Sequence, residues 1–333
     1  MLGSLPKLAD KAFIIGFLLP SVLFAVALTT IFSDVPEVAA AAKAMAQEKA
    51  LENFVYLAVA VWLFAVLLSL VNTILFKILE GYTLPFAAPL EKRAKARFDA
   101  LKARIKTLGD AWIAAGDTYP PDKQKDYDDA LFEFVTTFPS DRDKVLPTRF
   151  GNAIRAFEDY PRQVYSADSI PLWIHLCTVM PDDFLKSVED NKTQVSAALN
   201  LTFLSLIVAL VAGVRFALDV EWTAIGSPPA AVGAIWAEAE LLAFVVGAAI
   251  VARLSYLLAV ERAIAWGAVV KAAFDCYLPA LAKAMGYELP GHGKERRAFW
   301  TAVSRRAIYH RDFEPSRWHK RKPSRTRTQS PKR

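Results

Sequence analysis

Four long apolar runs constrain this chain more than any other feature. Residues 12–33, AFIIGFLLPSVLFAVALTTIFS, carry no charged side chain. Residues 54–79, 195–218 and 235–258 form three more runs, the last being the most polar. At about 1.5 Å rise per residue, each run crosses a hydrocarbon core of about 30 Å as a helix. Lipid offers no partner for free backbone groups, so only helices or closed barrels span it. Runs of this length predict helices. The first run exceeds a leader's apolar segment and holds Pro20 in its middle, so it reads as a span and not as a cleaved signal.

Composition agrees. Apolar residues make up 54% of the chain, above the roughly 45–50% of soluble domains. The formal charge is +6, and its placement gives an orientation. Lys7 and Lys11 precede the first span, and Lys77, Lys92, Arg93, Lys95 and Arg97 follow the second. Loop 34–52 sets Lys43 and Lys49 against Asp34, Glu37, Glu48 and Glu52, and loop 219–234 has acids only. Lysine and arginine collect on the cytoplasmic side. Both termini and residues 80–194 are therefore expected inside.

The expected architecture is an all-α, four-span helical membrane protein. A helical cytosolic domain lies between spans 2 and 3, and a basic cytosolic tail ends the chain. The segments are 1–79 (first pair of spans), 80–194 (cytosolic domain), 195–260 (second pair), 261–310 (a helical extension packing on 80–194) and 311–333 (a disordered basic tail). Two stripes repeat at helical spacing: Ala94, Phe98, Leu101, Ile105, Leu108 and Trp112, and Ala263, Gly267, Val270, Phe274, Tyr277 and Leu281. Burying such side chains is worth ~1.5–3 kcal/mol each, so the stripes are expected to share one core or to form an oligomer seam. Residues 117–130 read as an acidic, proline-containing loop. Pro139, Pro147, Pro161, Pro171 and Pro181 read as punctuation between short helices.

The stretch LPTRFGNAIRAFEDYP, 146–161, holds the densest polar groups. Thr148 is placed to cap a helix whose apolar face is Phe150, Ile154 and Phe157. Gly151 permits another element to approach closely. Arg155 is within reach of Glu158 or Asp159. Arg149, Asn152, Arg155, Glu158, Tyr165 and Asp168 are the candidate ligand or partner residues. No serine or cysteine nucleophile stands in a pattern with histidine and carboxylate. His175 and Cys177 read as packing, and GHGK at 291–294 lacks the P-loop spacing. Cys177 and Cys276 are expected as free cytosolic thiols. No catalytic residue, metal ligand set or cofactor is assigned.

LPTRFGNAIRAFEDYP with YSADSIPLW resembles a pattern in uncharacterised bacterial four-span membrane proteins. KAFIIGFLLPSVLF is similar to their first span. VKAAFDCYLPALAKAMG and ERRAFWTAVSRRAIYH are similar to their last segment. The resemblance implies a bacterial inner-membrane setting and no activity.

Charges within the spans need partners or a path to water. Arg215 is expected to pair with Glu238 or Glu240, and Arg253 to reach the inner interface. In the tail, Arg317, Trp318, Lys320, Arg321 and Lys322 are expected at the surface of anionic lipid, which is favoured over nucleic acid. The expected function is a non-catalytic scaffold, sensor or effector binding a cytosolic protein. The rivals are a homo-oligomeric channel or pore, and an enzyme acting on lipid or nucleotide at the membrane surface.

Overall fold

The computed structural model describes residues 10–45, 50–85, 87–220 and 238–309. All regular structure there is helical. Helix α1 spans Lys11–Ile31, with a π-helical stretch at Ile14–Leu18. Then follow α2 (Pro36–Met45), α3 (Ala50–Glu80), α4 (Ala87–Ala115) and α5 (Pro121–Thr137). Next come α6 (Arg149–Tyr165), α7 (Ser169–Cys177), α8 (Asp182–Asp219), α9 (Ala239–Ala284) and α10 (Gly293–Tyr309). Four of these, α1, α3, α8 and α9, are long and apolar enough to cross a membrane.

The irregularity in α1 has a cause in the sequence. Pro20 has no N–H, so the Gly16 carbonyl one turn earlier lacks its helical donor. The Asn200 amide of α8, fully buried, donates to that carbonyl at 2.8 Å. Two further polar links join the apolar helices. Asn72 of α3 donates to Ser196 of α8 at 3.4 Å, and Thr202 of α8 to Ser255 of α9 at 2.9 Å.

Helices α8 and α9 pack together along much of their length. With 38 and 46 residues, they measure roughly 57 and 69 Å at about 1.5 Å per residue. Both exceed the expected spans. The backbone continues as helix through residues 195 and 260, so apolar and polar halves share the same two rods. At the polar end, α6 and α7 pack onto α9, and α10 packs onto α6 and α7. Phe150, Ile154 and Phe157 of α6, Leu172 and Leu176 of α7, Leu199 of α8, Phe274 and Leu281 of α9 and Trp300 of α10 form one buried core.

The two stripes do not share a core. Phe98 and Leu101 of α4 pack with Ala130 of α5, Phe138 and Val145 in a separate cluster. The α9 stripe is buried against α6, α7, α8 and α10. Hairpin partner α5 already covers the α4 stripe, which leaves no apolar face for α9. Helix α5 also begins earlier than the expected loop allows. Pro121 sits in its first turn, where a missing N–H costs nothing, and Asp122 favours the positive end of the helix dipole. Pro161 and Pro279 lie inside α6 and α9 and end neither helix.

Candidate functional site

The segment 146–152 joins α3 to the polar core. Thr148 caps α6, its hydroxyl oxygen accepting from the Gly151 N–H at 2.9 Å. The same hydroxyl lies 2.7 Å from the Leu79 carbonyl and 3.0 Å from the Glu80 carbonyl, the last turn of α3. Carbonyls at a helix end have no partner within the helix, and Thr148 supplies one. Gly151 is needed because a Cβ there would lie 2.1 Å from the Glu80 carbonyl oxygen. Gly81 ends α3 at φ +103°, and a Cβ on it would meet the Pro147 ring at 2.9 Å. Asn152, 2% exposed, closes the turn. Its amide donates to the Leu146 and Thr148 carbonyls at 2.8 Å each and accepts from the Leu146 N–H at 2.7 Å.

The other candidates fall into separate surroundings. Arg155 pairs with Glu158 at 3.3 Å and lies over the Tyr82 ring. Burial pushes the Glu158 carboxyl above the usual range, and Arg155 opposes that shift. Asp159 pairs with Lys144 at 2.5 Å and accepts from Ser140 and Gln163 at 2.7 Å each. Burial alone raises this carboxyl, but those hydrogen bonds prevail and hold it low. Tyr165 and Tyr160 both donate to one oxygen of Asp275 on α9, at 2.7 and 2.8 Å. Burial and that carboxylate push Tyr160 up to about 12 and Tyr165 higher still. Asp168 pairs with Arg162 at 3.2 Å, and its N–H donates to Ser304 of α10. These contacts hold α6 to its neighbours.

Arg149 is different. It is exposed at the first position of α6 and lines a cleft of about 180 Å³ with Arg93 and Arg97 of α4. Asn152, Pro147, Phe138, Thr137, Ala94, Leu90 and Val260 complete the walls. Arg97 is ion-paired with Glu133 of α5. Among the described residues, the side chains of Arg93 and Arg149 have neither an ion pair nor a hydrogen bond. The sequence marked Arg93 and Arg97 only as charge following a span. Their spacing of four, one position before Ala94 and Phe98 of the buried stripe, was the available signal.

Arg215 does not meet Glu238 or Glu240. It pairs with Asp34 after α1 and with Asp219 at 3.0 Å, and it donates to the Ile31 carbonyl. The end of α1 stands closer to it than the start of α9. Glu240 instead lies on an apolar groove of about 730 Å³ between α1, α8 and α9. His175 contacts the Pro171 carbonyl one turn away, and burial raises the Cys177 thiol. Both cysteines are free. Among the described residues, no three metal-ligating side chains cluster. The tail residues Arg317, Trp318, Lys320, Arg321 and Lys322 lie outside the described residues. No family model, curated protein or solved structure matches the chain.

Proposed function

We propose that this chain is a non-catalytic, membrane-anchored scaffold, sensor or effector that presents its polar half to a cytosolic protein. Four spans hold it in a bacterial inner membrane, with both termini and residues 80–194 inside. One observation carries the reading: α8 and α9 run unbroken from an apolar surface into the polar core. On the apolar half, Leu67, Leu70 and Ile74 of α3, Leu210 of α8 and Ile250 and Leu254 of α9 are all exposed. Exposed apolar area on that scale marks contact with lipid or protein. Because the same rods form the cytosolic core, a shift of the spans moves that core as one body.

The surface offered to a partner is at α7. Ile170 and Ile174, one turn apart, are 67% and 75% exposed. They sit beside the Asp182 end of α8, away from its apolar stretch. Photoreactive side chains placed at Ile170 and Ile174 in living cells should both capture the same cytosolic protein, and one at Leu210 should not. No protein adduct at either α7 position, or only a second copy of the chain, would overturn the reading.

A further inference from the structure

The cleft at Arg93, Arg97 and Arg149 lies between two packing units. Arg93 and Arg97 are one turn apart on α4 and project from the same side of it. Helix α4 belongs to the hairpin whose apolar contacts are internal. Arg149 and Asn152 belong to α6 in the main core, and Val260 to α9. Three arginines from the two units thus line one cleft, and among the described residues Arg97 alone of the three has an ion-pair partner, the Glu133 carboxylate. Like charges across a cleft repel.

We propose that this cleft binds a phosphate-class oxyanion, which clamps the α4–α5 hairpin to the core. Guanidinium forks match phosphate oxygens in paired, charge-assisted hydrogen bonds. The volume of about 180 Å³ equals roughly six waters at ~30 Å³ each, enough for a phosphate group with some hydration. Leu90, Ala94, Phe138, Pro147 and Val260 make the walls largely apolar, with the arginines as their charged members, and Pro147 abuts Gly81 at the end of α3. A lipid headgroup and a free phosphate share the chemistry these groups recognise. The inference rests on the membrane-anchored sensor reading and supplies its ligand.

The test uses the full chain in lipid nanodiscs. Inorganic phosphate is titrated into neutral phosphatidylcholine discs against chloride at matched ionic strength. In parallel, phosphatidylglycerol is raised in the discs without phosphate. One or both should raise the unfolding temperature: phosphate alone identifies a soluble anion, and phosphatidylglycerol alone a headgroup. Arg93→Gln and Arg149→Gln are surface changes that preserve the fold, and each should weaken binding about tenfold. Arg305→Gln on α10 should leave it unchanged. No stabilisation in either arm, a chloride response of equal size, or unchanged binding in both cleft variants would overturn the proposal. Capture at Ile170 is scored separately, so its loss with intact phosphate binding would count against the sensor reading alone.

Discussion

Asp159 shows how single residues set the join between hairpin and core. It sits on α6, and its partners Ser140 and Lys144 lie in the loop that ends the hairpin. Its carboxyl is depressed in the folded chain, so it binds its proton less readily there than when unfolded. The stability it contributes is present above the unfolded value and is lost as pH falls through the folded one. Glu158, raised by burial, acts oppositely, and its contribution grows as pH falls. Asp159→Asn should therefore lower stability at neutral pH by about 1–3 kcal/mol and flatten the acid limb of the unfolding curve. Chemical denaturation between pH 3 and 7 measures this, and an unchanged acid limb would remove Asp159 as its source. The Thr148 cap and the close approach at Gly151 were legible in sequence, because cap chemistry and a missing Cβ are local properties. That Gly151 meets the end of α3 was not legible, since sequence does not show which distant carbonyl arrives. The choice of Lys144 over Arg155 as partner of Asp159 was hidden for the same reason.

At the scale of elements, the polar contacts between helices fix how α1, α3, α8 and α9 fit together. Asn200 exists in its buried site because Pro20 removes the donor that the Gly16 carbonyl would otherwise meet. Asn200→Leu should leave that carbonyl unsatisfied and cost about 1–3 kcal/mol. Pro20→Ala returns a backbone N–H in the same position. The double variant should lose less than the sum of the single changes, which a double-mutant cycle of thermal stability reads directly. Strict additivity would show the two sites to be independent. The helical rhythm of the α4 and α9 stripes was legible, but their partners were not. A heptad pattern specifies a buried face and leaves open which helix covers it. Short-range connectivity decided the matter for α4: α5 follows after a brief turn and takes the face first. The spans were legible as apolar runs, but the continuation of α8 and α9 into the polar half was not. Polar residues such as Asp190 and Glu261 interrupt hydropathy without interrupting the helix.

In the whole molecule, an apolar half and a polar half are joined through α3, α8 and α9. Thr148 fastens the end of α3 to the start of α6, and α9 passes directly into the core. The surface at α7 is thereby tied to the apolar helices through its packing on α6 and α9. From the charge asymmetry we propose that the polar half lies inside. Cys276 offers a native probe, since it is exposed on the polar portion of α9. Glu37, exposed in α2 just after α1, is expected on the opposite side. The decisive measurement applies a membrane-impermeant thiol reagent to intact cells carrying Glu37→Cys. Labelling is expected at position 37 in intact cells and at Cys276 only after permeabilisation. Labelling of Cys276 in intact cells, with position 37 protected, would contradict the proposed orientation.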